Sequence, residues 1–286
     1  MLTHRLTLIS LLLCAACAFA GQPAGIQKDI TYGTVDGVDL KLDFAVPETG
    51  DGPFPLVVLI HGGGWAAGNK AQYDGALPEW TKRGYVAATV EYRFAPKFKF
   101  PAQVEDVKCA VRYLRSRAKE LKINPDKVGA CGDSAGGHLS LMLGLMDSKD
   151  GLEGTGGHAD QSSKVQAVVN FYGPTDFSVE GTFNPFVVKL VTDFLGTVDQ
   201  KSPVIAQASP ITYINKGDPP ILTLQGTKDP LVPEEQQHRL HKALKEAGIE
   251  EHLEIIQDGG HGFGGKDFEH AAQLTIEWFD KYLKGK

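Results

Sequence analysis

Residues 127–146 read KVGACGDSAGGHLSLMLGLM, and the fold is decided there. The stretch 127–131 predicts a short strand, Ser134 opens a turn, and 135–146 is apolar enough for a buried helix. Gly132-Asp133-Ser134-Ala135-Gly136 sits in the turn with G-x-S-x-G spacing. A serine on a sharp strand-to-helix turn is held in strained backbone geometry, and neighbours without side chains let the turn close. The motif alone occurs often by chance. A strand before it and a helix after it are the context that gives it meaning.

Working outward, 103–121 carries apolar residues at Val104, Val107, Ala110, Val111, Leu114 and Leu121 with charges between, a helix with one core-facing stripe. Asn124-Pro125-Asp126 ends it. The run 56–60 is apolar throughout and 85–92 is mostly so, as in strands buried on both faces, with a helix predicted over 72–83 between them. Residues 31–46 alternate around Asp36-Gly37 and predict a hairpin. Downstream, strands are expected at 165–171, 221–224 and 252–256, and helices at 233–247 and 268–284. Residues 149–163, rich in Gly, Asp and Ser, predict an exposed loop. Residues 177–208 fit no sheet element and predict a small helical insertion. Strands alternating with helices throughout indicate a mostly parallel sheet of about eight strands covered on both faces.

The chain has 286 residues, 42% of them hydrophobic and 22% charged, enough for one substantial core. His4 and Arg5 precede an apolar run of about 14 residues ending Ala18-Phe19-Ala20, the pattern of a secretory leader cut after Ala20 and too short to span a bilayer comfortably. The expectation is a secreted or periplasmic protein whose catalytic unit is the single domain 21–286. Cys14-Ala15-Ala16-Cys17 resembles a bacterial lipoprotein site only in part, since Cys stands where Leu is usual. Removing the leader takes one Arg and no acid, leaving 28 basic against 35 acidic residues, a net charge of −7 with His neutral. That balance argues against a nucleic-acid partner, and no second segment is long enough to cross a membrane. The two remaining cysteines, Cys109 and Cys131, are expected as buried thiols rather than a disulfide.

His61-Gly62-Gly63-Gly64-Trp65 follows the strand at 56–60, and consecutive glycines there allow backbone N–H groups to face an oxyanion. Gly63, Gly64 and Ala135 are the candidate donors, with Trp65 as an alternative to either glycine. A serine hydroxyl needs a base to accept its proton and an acid to orient the base. Asp229 and His261 each stand after a strand, at the edge where α/β sheets place ligands. The rival acid Asp218 precedes its strand and falls at the opposite edge. His138, one helical turn beyond Ser134, is read as a packing or hydrogen-bonding residue, and His61 as a brace of its own loop. No metal or other cofactor is required, since no His-x-x-x-His or Cys-x-x-Cys zinc pair occurs after the leader and the Gly-rich stretches lack phosphate-loop spacing. Trp65, Tyr172, Phe177, Phe183 and Phe186 are candidates for lining a substrate pocket, although aromatic residues serve as readily in a core.

With these residues in view, the chain resembles the hormone-sensitive-lipase-like carboxylesterases, and most closely their bacterial relatives grouped with feruloyl and acetylxylan esterases (BD-FAE-like). The resemblance rests on His61-Gly62-Gly63-Gly64-Trp65, Glu91-Tyr92-Arg93, Gly132 to His138, Asp229-Pro230-Leu231-Val232-Pro233 and His261-Gly262-Phe263. It implies an α/β-hydrolase fold with Ser134, Asp229 and His261 as a catalytic triad and an ester as substrate. Only residues 21–30 separate the leader from the first hairpin, too few for the sizeable amino-terminal cap of the lipase relatives. That points to short acyl or feruloyl groups on a bulky alcohol such as plant polysaccharide. Two rivals stand beside this reading. One is a serine exopeptidase of the prolyl-oligopeptidase kind, which usually carries a propeller domain. The other is a non-catalytic binding protein on the same fold, which typically lacks a triad residue.

Overall fold

The computed structural model describes residues 25–179 and 181–286. The leader and Cys17 lie outside the described residues. Among the described residues eight strands form one sheet in the order β1-β2-β4-β3-β5-β6-β7-β8. The hairpin β1 (Gln27–Val35) and β2 (Val38–Ala45) turns at Asp36 and Gly37, both at positive φ, the geometry that two-residue hairpins favour. It is joined antiparallel to β4 (Val86–Val90), and every later pairing is parallel. The parallel part comprises β4 together with β3 (Phe54–Ile60), β5 (Ile123–Asp133), β6 (Ala167–Phe171), β7 (Ile221–Gly226) and β8 (Glu251–Ile256).

Because side chains alternate across a strand, the central strands feed two cores. Leu56, Val58, Ile60, Val128, Ala130 and Val168 meet helices α2 (Ala102–Ser116), α3 (Ala135–Leu145) and α6 (Glu235–Glu246). Val57, Leu59, Cys131, Val169 and Leu222 meet α1 (Leu77–Lys82) and α7 (Gly265–Phe279). Cys109 and Cys131 are buried free thiols, one in each core.

Several boundaries differ from the sequence reading for identifiable reasons. The helix predicted over 72–83 is broken: a single tight turn, Lys70–Tyr73, is separated from α1 by Asp74, Gly75 and Ala76, and Pro78 lies in the first turn of α1. Strand β5 begins at Ile123, ahead of Pro125, where the sequence predicts a break between helix and strand. Phe54 pairs with Ile123 and Leu56 already with Val128, so the residues around Pro125, which lacks an N–H, bulge out of the ladder. The final helix starts at Gly265 and ends in a wider turn, Asp280–Lys284. The insertion holds two helices, α4 (Pro185–Leu195), capped by Asn184 and closed by Gly196, and α5 (Pro203–Ala208). Among the described residues no helix is long and apolar enough to cross a membrane.

Candidate active site

Parallel register brings the carboxyl ends of β3, β5 and β6 level, with Ile60 opposite Gly132 and Asp133 opposite Phe171. Ser134 follows directly, its N–H bonded to the Phe171 carbonyl at 2.8 Å. Its backbone has φ 53° and ψ −118°, a region that L-residues seldom enter. The turn is tight enough to exclude side chains around it: a Cβ on Gly136 would lie 1.9 Å from the Ile60 oxygen, and one on Gly132 2.5 Å from the same atom. Gly136→Ala is therefore expected to cost at least about 4 kcal/mol or to prevent folding, because backbone cannot give way as a side chain does. Gly75→Ala, placed where a Cβ meets nothing within 4 Å, should stay within about 0.5 kcal/mol of the parent. Urea melts of the two variants make the comparison.

The loops after β7 and β8 bring the other two groups to the serine. A Cβ on Gly226 would come within 2.3 Å of the Gly259 oxygen, so the two loops pack backbone to backbone, joined further by Lys228 N–H to the Gly259 carbonyl at 2.8 Å. His261 lies between Ser134 and Asp229, with Nε2 2.9 Å from the Ser134 Oγ and Nδ1 2.8 Å from Asp229 Oδ2. The carboxylate only accepts, which places the proton on Nδ1 and leaves the Nε2 lone pair for the serine hydroxyl. Asp229 is buried, and its Oδ1 accepts from the amides of Leu231 at 2.7 Å and Val232 at 2.9 Å. Burial alone would raise this carboxyl, but the His261 hydrogen bond and those two amides outweigh it and hold the group below the usual carboxylate range. Asp218 stands at the other end of β7, accepting from the Asn215 amide, and Asp258 pairs with Lys228 on the surface.

The glycine loop after β3 has Gly63, Gly64 and Trp65 at successive positive φ of 112°, 58° and 58°. Its chain turns on the Gly63 carbonyl, which accepts from Ala66 and Ala67. No acceptor among the described residues takes the N–H of Gly63, Gly64 or Ala135. Asp133, beside the serine, accepts the Gly62 N–H at 3.0 Å and the Tyr73 hydroxyl at 2.7 Å. Tyr92 donates to the His61 carbonyl at 3.0 Å and stacks on the His61 ring, whose Nδ1–H is bonded to the Gly62 carbonyl. Burial lowers the His61 pKa and keeps that ring neutral.

Asp133 and Gln225 are the site residues that sequence reasoning missed. Gln225 is buried at the end of β7, where its amide donates to Asp229 Oδ2 and to the Val232 carbonyl. A Gln closing the strand predicted over 221–224 was the available signal.

The five aromatic candidates are dispersed. Trp65 and Phe177 are core residues rather than the walls of an open pocket, with 2% and 3% exposure; Trp65 stacks flat on Phe194 and meets Phe177 edge-on. A positive-φ Trp after three glycines needs its ring anchored, and the apolar face of the insertion supplies the anchor. Phe183 and Phe177 border a crevice of about 180 Å3 within the insertion, and Phe186 is 60% exposed. Tyr172 alone flanks the reacting groups, its ring 4.7 Å from that of His261. It also borders a groove of about 720 Å3 between α1 and α7, lined by Tyr73, Trp80, Asp133, Phe171 and Phe263. No cluster of His, Cys, Asp and Glu able to hold a metal occurs among the described residues.

A model of the BD-FAE family matches residues 42–244. The chain belongs to the BD-FAE family. Among its relatives, esterase LipC of Mycobacterium tuberculosis is 30% identical over 219 residues, which cover 74% of this chain and 53% of LipC. The probable carboxylic ester hydrolase LipM of the same organism is 29% identical over 238 residues, covering 80% and 54%. The chain thus spans about half the length of these relatives. Among solved structures, a thermophilic esterase of Thermogutta terrifontis superposes with a TM-score of 0.78 at 30% identity, covering 90% of this chain and 92% of that one. A truncated carbohydrate esterase from gut microbiota gives 0.75 at 26% identity, covering 90% and 97%. Together with the strand order, these neighbours make this BD-FAE member an α/β-hydrolase fold.

Proposed function

We propose that this BD-FAE member is a serine carboxylic-ester hydrolase. The observation that carries the reading is the continuous hydrogen-bond chain from Ser134 Oγ through both nitrogens of His261 to Asp229. In the proposed cycle Ser134 attacks the ester carbonyl while His261 Nε2 takes its proton. Asp229 holds the imidazole in the reactive tautomer and stabilises its charged form. The carbonyl oxygen, now negative, is received by the unpaired amides of Gly63, Gly64 and Ala135. His261 returns the proton to the departing alcohol. Water, activated by the same imidazole, then releases the acid and restores Ser134.

The proposed substrates are short acyl or feruloyl esters carried on a bulky alcohol such as plant polysaccharide, met outside the cytoplasm after removal of residues 1–20. The leader pattern supports the location, and the resemblance to a carbohydrate esterase supports the polymer. The aromatic groove beside Tyr172 suits a planar aromatic acyl group. A panel of acetyl, butyryl, octanoyl and feruloyl esters with acetylated xylan tests this. We expect kcat/KM for acetyl or feruloyl esters to exceed that for octanoyl at least tenfold. Preference for octanoyl overturns the substrate class, and absence of turnover on every ester overturns the activity.

A further inference from the structure

We infer that His138 is a positioning residue for ester hydrolysis: its imidazole ties Trp65, and with it the glycine loop, to the helix that begins with Ala135. The role rests on the esterase reading above. An oxyanion site built from Gly63, Gly64 and Ala135 is divided between two segments far apart in sequence, and its donors act only while their spacing is kept. The loop half is conformationally disfavoured, with three successive residues at positive φ. Trp65 ends that run, so what holds its ring holds the loop.

Ring packing restrains Trp65 only in part. It stacks on Phe194 at 4.3 Å and 7°, an arrangement that permits sliding. The directional restraint is the bond from Trp65 Nε1–H to His138 Nδ1, 3.2 Å long. On the other side of the ring, His138 Nε2 lies 2.8 Å from the Ala208 carbonyl, which can only accept. One tautomer satisfies both contacts, with the proton on Nε2 and the lone pair on Nδ1. Burial pushes the His138 pKa down to about 4, so the ring is neutral at neutral pH. With both nitrogens occupied and the ring wholly buried, His138 exchanges no proton with a substrate. It stands on α3, three residues beyond Ala135, and therefore joins the two halves of the donor set through one side chain.

Trp65→Phe and His138→Phe each remove the bond while keeping an aromatic ring. With p-nitrophenyl acetate we expect kcat to fall about tenfold to a hundredfold and KM to stay within about twofold, the pattern of an interaction felt in the transition state. The Kd of phenylboronic acid, which forms a tetrahedral adduct on the serine, should rise by the same factor as kcat/KM falls. The double variant should be no worse than the poorer single one, since both remove the same bond. His138→Asn, whose Oδ1 occupies the place of Nδ1, should recover most of kcat, and His138→Gln should not. If His138→Phe does not fold, Trp65→Phe, which keeps a ring on Phe194, carries the test. Variants with lowered Tm but full kcat per folded molecule, additive losses, or unchanged boronate affinity overturn the role. A wild type inert on every ester sinks function and role together. A Ser134-dependent wild type that tolerates Trp65→Phe sinks the role alone.

Discussion

Ser134→Ala is expected to lower kcat on p-nitrophenyl acetate by about 10^5 to 10^6 while leaving the fold intact. The side chain makes one hydrogen bond, to His261 Nε2, so little packing is lost with it. Its backbone conformation is unfavourable for serine and alanine alike, and Ala neither relieves nor adds strain. Glycine does relieve it. Ser134→Gly should be equally inactive yet more stable than the parent by about 1 kcal/mol, to the extent that the strain outweighs the entropy glycine adds to the unfolded chain. Initial rates with urea melts of the two variants separate loss of the nucleophile from loss of structure. A Ser134→Ala protein that keeps parental turnover would falsify the nucleophile assignment.

Asp229→Asn is expected to reduce kcat about 10^4-fold with KM nearly unchanged, by setting the wrong tautomer on His261. The direction follows from the carboxylate's partners. Oδ1 accepts from two amides, so an asparagine must place its oxygen there and its NH2 at the position of Oδ2. That NH2 then donates to His261 Nδ1, which forces the ring proton onto Nε2, facing the serine it should deprotonate. Stability should respond as well. Asp229 has a folded pKa below its ordinary value, so its contribution is complete above about pH 4 and is lost as pH falls through the lower folded value. The asparagine variant should lack that part of the acid dependence. A pH series of urea midpoints checks the sign, and stopped-flow turnover checks the rate.

The placement of Ser134, Asp229 and His261 was legible because Ser134 follows β5 directly and the other two lie in the loops just after β7 and β8, and strand ends are marked by where an apolar run stops. The sheet itself was legible for the same reason. What surrounds the site was not. Trp65 follows three glycines, and nothing in that pattern reveals that Phe194, far along the chain, takes its ring into the core. Phe177 and Phe186 belong to one insertion, yet the first is buried and the second exposed, because an aromatic residue does not say which neighbour will cover it. Gly75 and Pro78 were absorbed into a predicted helix whose period they interrupt. Strand β5 ran past Pro125 because its partner β3 supplied pairing on either side of the bulge. The Gly75–Pro78 break was there to be read locally; in the other cases the deciding contact is long-range, and local propensity carries no record of it.

Beyond the packing of Phe194 and Phe177 on Trp65, the insertion makes three separate demands on anything that replaces it. Leu190 fills the space against Gly64, where a Cβ would meet its Cδ1 at 2.8 Å. The Ala208 carbonyl receives His138, and the Asn184 amide donates to the Pro230 carbonyl beside Asp229 at 2.7 Å. Residues 177–208 are accordingly not a module that can be exchanged at will to alter substrate range. A graft chosen only for its outer face would leave a void over the glycine loop, an unmet imidazole N–H and a slack acid loop. The redesign that respects the molecule keeps those inward contacts and varies the outward positions, Phe186, Val188 and Val198.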